Sequence, residues 1–357
     1  MDTLKSICVS GDTPIRETLR RIDESSMQIA LVVDEERRLL GTVTDGDIRR
    51  GLLRNVSLDE PVSQVMRKNP TVGNYSESED ELLETMKRLD IRQMPLLDEN
   101  RRVVGLQTLD LLLRPKSRPN LVVLMAGGLG TRLHPLTKEL PKPMLRVGNR
   151  PILETILVGF KEHGFNRFAI SVNHKAELIR DYFGNGSRWD AEITYIQESV
   201  RLGTAGALSL LPERPSESIL VMNGDVLSRV NFAALLEYHK ECAAKATMCV
   251  REFEFQVPYG VIRVDGQTVT SVDEKPVQKW LVNAGIYVLE PDVLDMIPRN
   301  TYFDMTSVIE QLVDSAQRTV VFPLREYWLD IGHHADFERA QLEIESEFPA
   351  QSSFFER

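Results

Sequence analysis

The chain has 357 residues, enough for two or three domains, and its apolar and charged fractions of 42% and 27% are those of an ordinary globular protein. Its formal net charge of −10 argues against a nucleic-acid-binding surface, which needs clustered cations. The sequence contains neither an apolar run long enough to span a bilayer nor a secretory signal pattern, so we expect a cytoplasmic protein without membrane contact. Cys8, Cys242 and Cys249 are scattered without metal-ligand spacing, which indicates thiols in a reducing compartment.

The first 115 residues contain an internal repeat. The segment from Ile29 to Gly41 matches the segment from Gln93 to Gly105 at an offset of 64 residues, without a gap. Each copy has the pattern of a helix, a strand, a polar turn, a strand and a second helix. The pattern predicts these helices, two in each copy, at Thr18–Ser26, Asp45–Leu53, Glu81–Asp90 and Leu109–Leu113.

The two copies resemble a tandem pair of CBS domains over Val9 to Leu113. In that family a Thr and an Asp after the turn contact an adenosine ribose, which implies that Thr44 and Asp47 hold an adenine nucleotide as a regulatory ligand. The same residue types cap helices, and capping alone explains them equally well. The second copy departs from the family pattern, because it is one residue shorter between Gly105 and Asp110.

A glycine-rich loop follows the linker and an apolar strand, Leu121–Met125. Successive backbone N–H groups in such a loop form a concavity that suits anions. Two cations follow, Arg132 and Lys142, and the second lies between two prolines that stiffen its backbone. The pattern is neither a P-loop nor a dinucleotide fingerprint. On these residues alone, a phosphate site and an ordinary turn are about equally supported.

Strands and helices alternate from Leu121 onward, which predicts a mainly parallel sheet with helices on both faces. Ligands in such sheets lie beyond the carboxyl ends of the strands. The glycine loop, the turn Leu202–Gly206 and the string Asn223–Asp225 all follow strands. Asp225 alone is more often a turn residue. A second carboxylate, Asp330, stands in an apolar setting where an unpaired charge would be costly, and a magnesium ion would satisfy both.

The longer string from Gly127 to Pro143, G-G-L-G-T-R-L-H-P-L-T followed by P-K-P, resembles the signature of the sugar-1-phosphate nucleotidyltransferases. The resemblance implies a Rossmann-like, glycosyltransferase-A-like α/β domain joined to the α+β CBS pair. It also implies that a nucleoside triphosphate and a sugar 1-phosphate react to give a nucleotide-sugar and pyrophosphate. The expected domains are residues 1–56 and 57–115 for the CBS copies, 116–120 for the linker and 121–357 for the transferase.

The resemblance also implies roles for individual residues. Arg132 and Lys142 are the expected catalytic residues, and Asp225 and Asp330, in N-G-D and W-L-D-I-G strings, are the expected Mg²⁺ ligands. The expected nucleotide-binding residues are Leu124, Ala126, Gly127, Gly128, Gly130, Thr131, Gln197, Gly203 and Thr204. The expected sugar-phosphate residues are Gly260, Glu274, Lys275 and Asn283. A surface Glu-Lys pair such as Glu274 and Lys275 is otherwise usually a solvated ion pair.

The order of the domains resembles bacterial enzymes that make guanosine-diphosphate sugars for flagellin or surface glycans, including a glucosamine-1-phosphate guanylyltransferase of legionaminic acid synthesis. GTP is therefore the favoured triphosphate, with mannose and heptose 1-phosphates as alternative acceptors. CBS pairs often associate, so a homodimer or larger assembly is expected. A non-catalytic, nucleotide-sensing subunit on the same fold is the alternative function. Phe354 and Phe355 in the tail could contact a partner subunit.

Overall fold

The computed structural model describes residues 3–25, 27–113 and 115–348. The chain divides into two compact units, Met1–Pro115 and Lys116–Arg357. The first strand of the second unit begins at Arg118, within the predicted linker 116–120. There the backbone N–H of Arg118 donates to the carbonyl of Gly164. Ser26, the predicted end of the first helix, and the tail residues Phe354 and Phe355 lie outside the described residues.

The first unit contains two similar three-stranded sheets, one from each sequence repeat. Their strand orders are β1-β2-β3 and β4-β5-β6. The strands are β1 (Cys8–Ser10), β2 (Ile29–Val33), β3 (Leu39–Thr44), β4 (Gly73–Asn74), β5 (Gln93–Leu97) and β6 (Val103–Thr108). The helices are α1 (Thr3–Ile7), α2 (Ile15–Ser25), α3 (Asp45–Leu53), α4 (Glu79–Arg88) and α5 (Leu109–Leu113).

Local capping sets two of these helix starts. Helix α4 begins two residues earlier than predicted, because Ser78 accepts a hydrogen bond from the N–H of Glu81. Helix α3 begins after Thr44, where the sequence predicts it. The apolar face of α2 packs into a core that includes Ile15, Ile22 and the strand residue Val32.

The second unit is built on a seven-stranded sheet of order β11-β10-β7-β12-β17-β14-β18. The strands of the whole second unit, including three two-stranded sheets outside the central one, are β7 (Arg118–Met125), β8 (Arg146–Val147), β9 (Arg150–Pro151), β10 (Phe165–Val172), β11 (Glu192–Gln197), β12 (Ile219–Asn223), β13 (Val226–Ser228), β14 (Ala246–Gln256), β15 (Val261–Asp265), β16 (Thr268–Asp273), β17 (Val277–Leu289), β18 (Thr319–Leu324) and β19 (Trp328–Asp330). Its helices are α6 (Ile152–Lys161), α7 (Ala176–Phe183), α8 (Gly203–Gly206), α9 (Phe232–Glu241), α10 (Met305–Asp314) and α11 (His334–Glu347).

Both faces of this sheet are buried. Val122 and Leu124 of β7 belong to a core that includes residues of α6 and α9, whereas Val123 belongs to a second core that includes residues of α10. This alternation is what a strand covered by helices on both sides requires. The mainly parallel α/β fold is therefore confirmed, with β17 as an antiparallel strand between β12 and β14.

Four parallel strands end together at one edge of the sheet. Met125 of β7 is opposite both Ser171 of β10 and Asn223 of β12, and Val172 is opposite Gln197 of β11. The segments that follow these strands therefore start at the same edge, which we call the carboxyl edge. Among the described residues, no helix is both long and apolar enough to cross a membrane.

Candidate active site

The glycine loop leaves β7 at the carboxyl edge and folds back against the segment that carries Lys142. Gly130 has a positive φ of 65°, and a Cβ there would come within 3.0 Å of side-chain carbons of both Lys142 and Thr137. The hydroxyl of Thr137 donates to the carbonyl of Gly130 at 2.8 Å. A larger residue than glycine would therefore separate the loop from Lys142. Leu124, by contrast, is fully buried within β7, which is paired with a strand on each side at this position.

Lys142 is a buried lysine that, within the described residues, has one carboxylate partner. It begins a 3₁₀ turn after Pro141 and is only 7% exposed. Its Nζ lies 2.5 Å from Oδ2 of Asp225, which is 83 residues further along the chain. A buried ammonium without a partner would be costly, so this ion pair fixes the positions of both groups.

The second carboxylate lies beside the first because β13 and β19 pair. Asp330 is opposite Val226 in this antiparallel ladder, and the N–H of Ile331 donates to the carbonyl of Asp225 at 3.1 Å. Asp330 itself is exposed, whereas its neighbours Leu329 and Ile331 are buried. Alternation along the strand explains the difference.

The surroundings of Asp330 disfavour its charged form. Partial desolvation and the nearby charge of Asp225 raise the pKa of Asp330, whereas Lys142 and Arg132 act in the opposite direction. Arg132 lies close by, because a Cβ on Gly332 would be 3.7 Å from its Nη1. Two neighbouring carboxylates that repel each other form a donor set that fits a hard divalent cation.

Histidines do not extend this donor set. Within the described residues, no group of three or more His, Cys, Asp or Glu side chains is placed to hold a metal ion. His333 is the N-cap residue of α11, and the ring Nε2 of His334 lies 2.8 Å from the carbonyl of His134. The latter contact connects α11 to the segment that follows Arg132.

The predicted base-recognition residues are engaged by other parts of the protein. Gly203 has a φ of 80°, and a Cβ there would be 2.6 Å from the carbonyl oxygen of Phe303. The backbone N–H and the hydroxyl of Thr204 donate to Oδ1 of Asp304 at 2.9 and 3.1 Å. Gln197 is exposed at the end of β11, where its amide oxygen accepts from Arg180 at 3.1 Å. The glycine at 203 is therefore required by its packing against the protein.

The ionised carboxylate of Asp304 holds the turn that contains Gly203 and Thr204. Desolvation acts to raise its pKa, but hydrogen bonds from Thr204 and Tyr302 outweigh that effect and leave the pKa below its ordinary value. The hydroxyl of Tyr302 donates to Oδ2 of Asp304 at 2.8 Å.

The predicted sugar-phosphate residues lie on or beside the β15–β16 hairpin and on β17. Gly260 faces Glu274, since a Cβ on the glycine would be 3.1 Å from Oε2. Lys275 is exposed with a φ of 46°, and within the described parts of the chain its ammonium has no ion-pair partner. The amide of Asn283 bonds the Tyr287 hydroxyl at 2.6 Å. In the same described parts, no hydrogen bond joins these four predicted residues to Lys142 or Asp225.

Sequence analysis did not identify Glu198 as a residue of this site. This carboxylate is only 5% exposed, accepts a hydrogen bond from the Ser171 hydroxyl, and accepts another from the Leu202 N–H at 3.1 Å. A Cβ on Gly127 would be 3.0 Å from its Cδ. Glu198 thus supports the glycine loop and the Leu202 turn together. Since these contacts join segments distant in sequence, no local pattern signals them.

In the first unit, Thr44 and Asp47 form a complete capping box at α3. Oδ2 of Asp47 accepts from the Thr44 N–H at 2.9 Å, and Arg50 donates to Oδ1 at 2.6 Å. Desolvation acts to raise the pKa of Asp47, but the bonds from Thr44 and Arg50 keep the pKa below its ordinary value. These residues also line a cleft of about 730 Å³ that includes Arg67 and, from the second copy, Arg92. Thr44 and Asp47 therefore cap α3 and line the cleft at the same time.

Comparisons with known proteins agree with this architecture. Residues 121–347 match the Nucleotidyl transferase family, and residues 1–54 and 62–113 match the CBS domain family. A UTP–glucose-1-phosphate uridylyltransferase of Synechocystis is 32% identical over 61% of this chain and 61% of its own length. A mannose-1-phosphate guanyltransferase of Yarrowia lipolytica is 34% identical over 60% of this chain and 61% of its own.

A solved structure shares the fold of the second unit. The crystal structure of HddC from Yersinia pseudotuberculosis matches with a TM-score of 0.51 and 25% identity, over 63% of this chain and 99% of that one. The matched region spans about three fifths of the length of the curated relatives. The family match covers more than half of the chain and includes the glycine loop, Lys142, Asp225 and Asp330. The chain belongs to the nucleotidyl transferase family and carries tandem CBS domains before the transferase domain.

Proposed function

We propose that the protein transfers a nucleoside monophosphate from a nucleoside triphosphate to a sugar 1-phosphate. A phosphate oxygen of the sugar attacks the α-phosphorus, the bond between that phosphorus and the bridging oxygen breaks, and pyrophosphate leaves with the bond's electron pair. The carrying observation is the 2.5 Å ion pair between Lys142 and Asp225, beside the glycine loop at the carboxyl edge. Buried charges at a ligand-binding edge are typical of sites that handle polyanions.

The residues at this edge position anions and need not act as nucleophiles. Arg132 and the loop N–H groups from Gly127 to Thr131 hold the triphosphate and then the leaving pyrophosphate. Lys142 places its ammonium against charge that develops at the α-phosphate. Catalysis of phosphoryl-group transfer rests mainly on such positioning and charge stabilisation.

Asp225 and Asp330 are the residues that would hold a metal ion. The family generally uses a divalent metal, and we assign Mg²⁺ because this hard cation prefers carboxylate and phosphate oxygens. When bound, Mg²⁺ supplies charge neutralisation and orients phosphate oxygens. Asp225 retains Lys142 as its partner, and partial desolvation together with the charge of Asp225 raises the pKa of Asp330.

The exposed ammonium of Lys275 suits the phosphate of the sugar substrate, since no protein carboxylate within the described residues pairs with it. Glu274 and Asn283 offer oxygens and an amide to sugar hydroxyls. Gln197, Gly203 and Thr204 would surround the base. The packing of Gly203 and Thr204 against Phe303 and Asp304 makes this part of the edge rigid.

The base and the sugar are open to direct assay. The two relatives above are named for uridylyl and guanylyl transfer, and for glucose and mannose 1-phosphates. We favour GTP, with glucosamine 1-phosphate and the mannose and heptose 1-phosphates as acceptors. Pyrophosphate release should be measured for four triphosphates against each sugar phosphate. The highest turnover is expected with GTP. If no pair released pyrophosphate, the chain would instead be a non-catalytic, nucleotide-sensing subunit.

A second function is favoured by the cleft of the first unit. Thr44 and Asp47 offer short polar groups, and Arg67 and Arg92 line the same cleft as cations suited to phosphate. We propose that it takes an adenine nucleotide that regulates the transferase. Titration of the full-length chain with AMP and ATP by calorimetry should give heat that Arg92→Ala weakens. An absence of heat at millimolar ligand would reject this regulatory site.

A further inference from the structure

A half-buried asparagine at the carboxyl edge has no partner in the protein. Asn223 is the last residue of β12, two residues before Asp225, and β12 lies between β7 and β17 in the sheet. Within the described residues, no hydrogen bond or ion pair reaches its side-chain amide. Polar side chains that are partly removed from water are usually hydrogen-bonded, so an open amide at a ligand-binding edge calls for an explanation.

The amide of Asn223 lies against β17. A Cβ on Gly285 of that strand would be 2.7 Å from Nδ2 and 3.1 Å from Cγ of Asn223. Gly285 also has a φ of 70°, a conformation that favours glycine. The glycine at position 285 therefore makes the room in which the Asn223 amide lies.

Asn283, the asparagine that the sequence assigns to the sugar, is largely engaged by the protein. Asn283, Gly285 and Tyr287 are two residues apart along β17. Oδ1 of Asn283 accepts from the Gly285 N–H and from the Tyr287 hydroxyl, both at 2.9 Å, and Nδ2 donates to the same hydroxyl at 2.6 Å. An amide has two acceptor sites and two N–H donors, so Asn283 keeps one N–H for a ligand and no acceptor site.

Asn223 supplies what Asn283 lacks. Its amide keeps both acceptor sites and both N–H groups, and a sugar hydroxyl needs one partner of each kind, because it donates and accepts. Its place also suits a sugar 1-phosphate. The chain leads from Asn223 directly to Asp225, which pairs with Lys142 among the phosphate-binding groups, while Gly285 beside it is two residues from Asn283.

We propose that the side chain of Asn223 contacts the acceptor sugar and determines which sugar 1-phosphate the enzyme prefers. This inference rests on the proposed reaction. An uncharged amide selects by the position of a hydroxyl or amino group on the sugar ring. A sugar that places no such group there leaves the amide unpaired and is disfavoured.

The test is pyrophosphate release by Asn223→Ala in the full-length protein, with each sugar 1-phosphate and with GTP. We expect the KM for the preferred sugar 1-phosphate to rise about 10-fold and the KM for GTP to change by less than about twofold, because the lost hydrogen bond belongs to the sugar alone. The preference for that sugar over the others, measured as a ratio of kcat/KM, should fall by a similar factor.

The matched control is Asn173→Ala. Asn173 is also half-buried at the carboxyl edge, but it follows β10, which β7 and β12 separate from β17. Its KM for the sugar 1-phosphate should equal that of the wild type.

Gly285→Ala tests the same contact while Asn223 stays in the sequence. The added methyl group displaces the Asn223 amide, so the KM for the sugar 1-phosphate should rise here as well. The double variant should show no further rise beyond the larger single effect, since both substitutions remove one contact. Circular dichroism of each variant checks the fold.

Two results would overturn the assignment of Asn223 and leave the proposed reaction intact. One is an active wild type whose KM for the sugar 1-phosphate is unchanged in Asn223→Ala. The other is an equal rise of both KM values, which indicates a structural role. A wild type that releases no pyrophosphate with any pair of substrates would overturn the reaction and this assignment together.

Discussion

The two polar clusters of this chain are built in different ways. In the first unit, Thr44, Asp47 and Arg50 lie within seven residues and bond to one another around a single helix start. At the carboxyl edge, Lys142 and Asp225 are 83 residues apart and meet only in the folded protein. A helix cap forms for local reasons, with or without a ligand. A concentration of charge assembled from distant segments has no such local reason, and it is the stronger indication of function.

Burial separates the clusters as well. The side chain of Lys142 is 9% exposed, whereas that of Arg50 is 67% exposed. An exposed ion pair contributes little to stability, whereas a buried charge that loses its partner is strongly destabilising. Substitutions at the carboxyl edge should therefore have large effects on activity, and those at the cap should have small effects on stability.

The largest effect is expected for Lys142→Ala. Turnover should fall by about 10³-fold, because one preorganised cation that stabilises the transition state is removed. The measurement is pyrophosphate release under saturating substrates, with circular dichroism to confirm the fold. Lys138→Ala is the matched control, since Lys138 is exposed and lies on the same segment. Near-normal turnover of Lys142→Ala would remove Lys142 from the proposed role.

Asp330→Asn should have the next largest effect, a loss of about 10²-fold in turnover together with a higher Mg²⁺ concentration for half-maximal activity. The amide keeps the size of the side chain but removes one of the two charges that would hold the cation. Asp336→Asn is the control, because an amide oxygen at that position can still accept from the His333 N–H. If the Mg²⁺ dependence of Asp330→Asn were unchanged, Asp330 would not be a metal ligand.

The comparison also shows what the sequence can predict. Helices α3 and α5 lie where periodicity and capping residues place them, because those signals are local. A long motif indicates the glycine loop and Lys142, and the N-G-D and W-L-D-I-G strings indicate Asp225 and Asp330, which the pairing of β13 with β19 places side by side. The exposure of Asp330 was missed because the residues on either side are apolar, although strand alternation places them on the opposite face.

Glu198 marks the limit of such prediction. Its carboxylate accepts hydrogen bonds from the Ser171 hydroxyl and the Leu202 N–H, and it lies against Gly127. These three residues belong to three different segments. Only the parallel register of β7, β10 and β11 brings them together. Gly203 is a similar case, since its requirement for glycine comes from Phe303, 100 residues away.

Substitutions at two neighbouring glycines distinguish a glycine that is required by packing within the protein from one that is not. Gly127→Ala should destabilise the protein by about 1–3 kcal/mol, because the added methyl group meets the carboxylate of Glu198, which its hydrogen bonds hold in place. Gly128→Ala should leave stability unchanged, since no atom lies within 4 Å of its added Cβ. Chemical denaturation measures both. Equal stability of the two variants would show that Glu198 moves freely and does not support the loop.

The smallest effect is expected at the cap. Asp47→Asn should cost up to about 1 kcal/mol near neutral pH, because the amide can still accept from the Thr44 N–H but loses the charge that pairs with Arg50, and Asp110→Asn in the second copy should cost less because Asp110 is exposed. The folded-state pKa of Asp47 is lowered, so its stabilising effect is present above the unfolded pKa, about 3.9, and is lost as the pH falls through the folded value. The difference in melting temperature between the wild type and Asp47→Asn should therefore be constant from neutral pH to about pH 5 and shrink below about pH 4. A difference that grew on acidification would mean that the charged form of Asp47 is not the one that the capping box and Arg50 stabilise.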